Sequence, residues 1–164
     1  MTNPTPADRA FKLLDGVDLT TVDRAWLAQA IATEIQAESN AQLMRQRSEP
    51  INALVALCHG RSTAAGWWDG VDIEDPNIAG AKLALIHSEI SEALEGMRKG
   101  LMDDHLPHRS MFEVELADAV IRICDLAGAK CFDLGGAITE KLEYNARRKD
   151  HTREARAAAG GKKI

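Results

Sequence analysis

Aromatic residues are scarce in this sequence, with three Trp, one Tyr and three Phe among 164 residues. Sheets favour aromatic and β-branched side chains, so this scarcity argues against a β architecture. Cysteine is scarce too. Cys58, Cys124 and Cys131 are an odd number with no CxxC spacing. That excludes a disulfide framework and a zinc knuckle, and points to a reducing, cytoplasmic setting. No long apolar run exists. The longest, residues 53–58, has six residues, against the ~20 that a membrane span needs. The opening MTNPTPADRAF has no basic stretch followed by an apolar one, so no secretory leader is expected. GxGxxG, GxxxxGK[ST] and GxSxG are all missing, which removes the common phosphate loops and the nucleophile elbow.

Alanine is abundant, at 26 residues, and is the strongest helix former. A mass of 17.9 kDa suits one domain, or one domain with an appendage. Charge is unevenly spread. Residues 146–164 hold seven Lys/Arg against two Asp/Glu, a local +5, and the remainder holds 13 basic against 23 acidic, a local −10. A nucleic-acid binder carries its basic face on the folded body, so neither nucleic acid nor membrane is an expected partner. An acidic body either wears solvated carboxylates or gathers some of them for a cation.

The periodicity predicts six helical segments, near 6–14, 20–47, 50–59, 77–99, 109–127 and 133–149, with Asp18 or Thr20 capping the second. Pro50 separates the second from the third, since proline inside a helix removes a hydrogen bond and clashes with the preceding turn. Residues 60–76, rich in Gly and Asp, read as a loop. The expected class is all-α, an antiparallel helical bundle.

Two acidic pairs stand out. Glu89-Ile90-Ser91-Glu92 lies in the fourth segment and Glu115-Leu116-Ala117-Asp118 in the fifth. Residues at i and i+3 share one side of a helix. A short connector favours an antiparallel hairpin, in which the two pairs meet. Periodicity leaves a second account open. Leu83, Ile86, Ile90, Leu94 and Met97 form an apolar stripe on one helix, and Phe112, Leu116, Val120, Ile123 and Ala127 form one on the other. The acids would then be solvated faces. If they converge, oxygen-only ligands favour Mg²⁺ or Mn²⁺. A di-iron centre would want Glu-x-x-His on two helices, which is absent here.

The sixth segment carries Lys141, Tyr144, Asn145 and Arg148 at i, i+3, i+4 and i+7, a stripe of hydrogen-bond donors suited to phosphate or, equally, to solvent and salt bridges. Trp67-Trp68-Asp69 sits in the loop. One ring there, Trp68, is a candidate for stacking on a base. His59 reads as a helix-end residue and Asp103-Asp104-His105 as a turn.

With these residues in view, the chain resembles the MazG-like all-α nucleoside triphosphate pyrophosphohydrolases. The likeness rests on Glu89-x-x-Glu92, a 22-residue spacer, Glu115-x-x-Asp118, and then Lys141, Asn145 and Arg148. It is strongest in the wording LIHSEISEALEGMRKG, EVELADAVIRICDLAG and EKLEYNARRKDH. The resemblance spans about residues 50–151. It implies Mg²⁺-dependent cleavage of a (deoxy)nucleoside triphosphate between the α- and β-phosphates, giving the monophosphate and pyrophosphate. It makes Glu89, Glu92, Glu115 and Asp118 metal ligands, with Glu89 or Glu92 also acting on the attacking water. Lys141, Asn145 and Arg148 would hold phosphates or sugar. It also implies a homodimer or homotetramer that completes the bundle. The organisation expected is a helical extension (1–48), a MazG-like core (49–151) and a basic tail (152–164). Two other functions fit the sequence: a base-specific dUTPase- or dCTPase-like member, and a non-catalytic helical protein-interaction module.

Overall fold

Helix-forming composition is realised along nearly the whole chain. The computed structural model describes residues 6–13, 15–16 and 21–158. The helices are α1 (Pro6–Leu13), α2 (Thr21–Ala64), α3 (Pro76–Lys99), α4 (Met111–Ala129), α5 (Leu134–Arg147), a 3₁₀ turn at Lys149–His151 and a short α6 (Arg153–Ala157). The protein is therefore all-α. Among the described residues there is no strand, only an isolated antiparallel bridge between Met102 and Ser110. None of these helices is long and apolar enough to cross a membrane. Leu14, the expected caps Asp18 and Thr20, and the end of the basic tail from 159 onward lie outside the described residues.

Boundaries differ from expectation in α2 and in α5, which ends at Arg147 and leaves Arg148 in extended backbone beyond the helical stripe. The second and third expected helices are a single 44-residue helix, with Pro50 inside it. The proline costs about 3 kcal/mol. Good helix formers on both sides, and the burial of Val55 and Cys58 one to two turns later, outweigh that cost. The helix also continues to Ala64 instead of stopping near His59.

The later boundaries follow local chemistry. Asp75 caps α3 by accepting from the Asn77 amide, and Pro76 occupies the first turn, where its missing N–H costs nothing. Gly100 closes α3 in the left-handed region. Ser110 caps α4 through the Glu113 amide, and Asp133 caps α5 through the Gly136 amide. Hydrogen bonds from Asn52 and from that amide hold the Asp133 carboxyl below its ordinary range.

Two compact units divide the chain at residues 47 and 48. In the first, Ala28 and Ala32 are buried against Leu27 and Ile31, and Arg24 pairs with Asp15 at 3.7 Å. In the second, Val55 and Cys58 of α2 pack against Cys124 and Ala127 of α4 and against Leu134. Helices α3 and α4 pack closely on each other. Lys82 faces Asp125, Glu89 faces Arg122, and Gly96 abuts Met111, so the two helices run antiparallel. A side chain at Gly96 would come within 2.9 Å of Met111. Glycine is required there for the helix ends to close up.

The buried face of this hairpin is not the apolar stripe. Ala93, Gly96 and Ala119 lie inside, together with Glu89 and Glu115. Leu83, Ile90, Leu94 and Met97 on α3, and Phe112, Leu116, Val120 and Ile123 on α4, are 40–54% exposed. Small residues let the backbones approach on the acidic side and leave the large apolar side chains uncovered on the other.

Candidate metal centre

Helical spacing brings Glu89 and Glu92 to one side of α3, and Glu115 and Asp118 to the side of α4 that meets it. Glu89, Glu92 and Glu115 each offer a carboxylate oxygen, and these oxygens all lie within 4.8 Å of one another. Glu89 is 6% exposed and Glu115 is 8% exposed. Neither is a solvated helix face. Asp118 lies close enough for the Glu89 charge to raise its pKa. The arrangement thus gathers three of the four carboxylates that the sequence singled out; Asp118 is not one of the group within 4.8 Å.

Crowded carboxylates resist ionisation. Two like charges ~4 Å apart repel by roughly 4 kcal/mol at an effective dielectric of 20. Burial, a hydrogen bond with Glu89 and the charges of Glu92, Glu89 and Asp118 push Glu115 up to about 7. Burial and Glu89 also push Asp118 upward, while Arg122 draws it back. Without a divalent cation, the cluster relies on two weaker devices. One is the proton that Glu115 retains. The other is Arg122, whose Nε lies 2.6 Å from Glu89 Oε1. An all-oxygen donor set with unmet negative charge fits a hard divalent cation.

Asp103 is buried as well, but it serves the connector. Its Oδ1 accepts from the amides of His105 and Leu106. The expected turn at 103–105 is present.

Seven residues along α4 from Asp118 lies a feature that sequence reasoning missed. Asp125 is buried and is the hub of a polar cluster. Its Oδ1 accepts from Trp68 Nε1 at 2.8 Å and lies 3.0 Å from His59 Nδ1. Its Oδ2 accepts from Ser62 Oγ at 3.1 Å and lies 3.7 Å from Lys82 Nζ. Lys82 also stands over the Trp68 ring, 4.1 Å from its centroid. Ser62 bonds to the aspartate and not to His59, so the trio is not arranged for nucleophilic attack. It ties the 65–75 segment to α2, α3 and α4. Lys130 adds a second tie, donating to the Ile73 carbonyl. His59 owes its position partly to Gly128. A side chain there would come within 2.5 Å of the His59 Cβ.

Beside the carboxylates opens a cavity of about 660 Å³. Apolar walls come from Leu54, Leu57, Leu85 and Ile121, and three cations reach it: Arg61, Lys82 and Arg122. Asp118 lines the cavity and feels the charge of Glu89. Of the adjacent tryptophans, Trp67 lines the cavity and is 70% exposed. Trp68 is half-buried, with its N–H given to Asp125 and Lys82 over its ring.

The donors on α5, with Arg148 just past its end, form a separate group. Lys141 and Arg148 both lie over the Tyr144 ring, and Arg148 pairs with Asp150 at 2.6 Å. Asn145 Oδ1 is buried with no hydrogen-bond partner. None of these four residues lines the cavity.

Arg122, Lys82, His59, Ser62 and Asp125 all lay outside the sequence-based site. The available signal was spacing: Asp118, Arg122 and Asp125 fall at i, i+4 and i+7 on one helical stripe. No protein-family model, curated protein or solved structure matches the chain.

Proposed function

We propose that the chain is a divalent-metal-dependent nucleoside triphosphate pyrophosphohydrolase of the MazG-like type, converting a (d)NTP to the (d)NMP and pyrophosphate. The observation that carries this reading is the convergence of Glu89, Glu92 and Glu115 within 4.8 Å, with Asp118 beside them. Glu89, Glu92, Glu115 and Asp118 are the residues that would hold Mg²⁺ or Mn²⁺. Such an ion supplies neutralisation of phosphate charge and a water of lowered pKa. Glu89 or Glu92 would be the residue placed to accept the proton of an attacking water. The adjoining cavity has the size of a small-molecule site. Its apolar walls suit a base, and its three cations suit phosphate oxygens. Trp67 is the loop ring free to stack on a base. Trp68 supports the loop from behind.

The donors Lys141, Asn145 and Arg148, with Tyr144, are proposed to reach phosphate or sugar in the assembled protein. Assembly as a homodimer or homotetramer would complete the bundle by covering the bare apolar stripes of α3 and α4. Their eight large side chains expose on the order of 700 Å², near the ~800 Å² each partner contributes to a stable interface.

A panel of ribo- and deoxynucleoside triphosphates with Mg²⁺, read by pyrophosphate release, tests the reading. Pyrophosphate and monophosphate in equal amounts support it, and turnover of a single base selects the dUTPase- or dCTPase-like form. Release of orthophosphate, or no turnover of any nucleotide with Mg²⁺ or Mn²⁺, would rule it out.

A further inference from the structure

Arg122 is the counter-cation of a buried carboxylate. Glu89, its partner, is almost fully buried, and a buried carboxylate needs a compensating cation. The closest approach of the two is Nε to Oε1, at 2.6 Å. The side chain is 43% exposed and lines the cavity with Arg61 and Lys82. One turn away on the same stripe, Asp125 is the opposite case. Every element around it contributes a donor, and it is locked.

We propose that Arg122 is an exchangeable counter-cation: it holds Glu89 while the carboxylates lack a divalent ion, and turns into the cavity to hold phosphate once they have one. This inference rests on the metal-binding reading above. The charge balance explains the exchange. A dication takes over the neutralisation of Glu89 and repels a guanidinium beside it. The cavity offers that guanidinium a place next to two other cations, where a polyphosphate would need it. The result is an ordered site in which the third phosphate donor is released by the metal itself. An anion arriving without metal then finds Arg122 still occupied.

Magnesium titration of the ¹⁵N-labelled, nucleotide-free chain tests this, following the arginine Nε–H signal assigned through Arg122→Lys. In the metal-free protein that signal should lie away from the frequency of a solvated guanidinium, because of the Glu89 carboxylate beside it. Saturating Mg²⁺ should move it to the frequency of a solvated guanidinium. In the same titration the backbone amides of 89, 92 and 115 report metal binding independently. Shifts at those amides with an unmoved Arg122 signal would overturn the exchange and leave the metal site standing. No change at any of these positions would overturn both. A second measurement uses Arg122→Gln and Mn²⁺ binding read by electron paramagnetic resonance. With the competitor gone, Mn²⁺ should bind at least about five-fold tighter. Inorganic pyrophosphate should then bind the Mn²⁺-loaded variant several-fold more weakly than the loaded wild type. Equal or weaker Mn²⁺ binding would make Arg122 a fixed orienting group and end the proposal.

Discussion

Replacing Glu115 by Gln removes the charge that the cluster tolerates least. The amide still donates to Glu89, as the protonated carboxyl does. In the native chain Glu115 titrates near 7, against an ordinary value of 4.5. Between those two pH values the folded protein keeps a proton that the unfolded chain has lost. The stability which that proton confers is complete below pH 4.5 and falls as pH rises through 7. The shift corresponds to roughly 3 kcal/mol. At pH 8, without divalent metal, wild type bears that whole penalty and Glu115→Gln bears none. For a chain of this length the variant should melt roughly 6–12 °C higher at pH 8 and within a degree or two of wild type at pH 4.5. Thermal unfolding in EDTA across pH 4.5–8 measures the difference between the two proteins, which cancels the other titrating groups. A variant that melts at or below wild type at pH 8 would refute the reasoning, because the carboxylates would then not be crowding one another.

Other perturbations address other parts of the structure. Glu92→Gln and Asp118→Asn should each abolish pyrophosphate release and weaken Mg²⁺ binding with the helical circular dichroism unchanged; full activity in either would remove that residue from the site. Asp125→Asn turns an amide N–H₂ toward Lys82 or Ser62 where a carboxylate oxygen had accepted. It should cost about 2–4 kcal/mol in urea unfolding and shift tryptophan emission to the red as Trp68 loses its anchor. Unchanged stability and emission would mean that the hub does not hold the loop. Leu94→Glu places a charge on the bare stripe, and light scattering should show the assembly falling to the 17.9 kDa chain. A native chain that is already monomeric would contradict the proposed assembly.

The helical class was legible because alanine abundance and capping chemistry act locally. Asp133 before Gly135-Gly136, and Gly100 after Lys99, mark helix ends in sequence and in structure. The acidic pairs were legible for the same reason, since i, i+3 spacing is a property of one helix. Three features were not. A proline rule predicts a break at Pro50, but it weighs one residue, whereas the helix is favoured over many turns and by tertiary burial of Val55 and Cys58. Hydrophobic periodicity points to Leu83, Ile90, Leu94 and Met97 as the inner face of α3. The packing instead buries the small residues Ala93 and Ala119 and sets Gly96 against Met111, because small side chains allow α3 and α4 to approach. Asp125 was hidden by distance. Its partners His59, Ser62, Trp68 and Lys82 lie 43 to 66 residues away, and no local pattern joins them.

Calorimetric titration of Mn²⁺ into the metal-free chain at pH 7, in two buffers of different ionisation heat, bears most directly on the shared carboxylate pocket. The account predicts saturable binding accompanied by proton release, as the incoming ion displaces the Glu115 proton into the buffer, and loss of both signals in Glu115→Gln. Absence of saturable binding at millimolar Mn²⁺, or binding with no proton released, would contradict it.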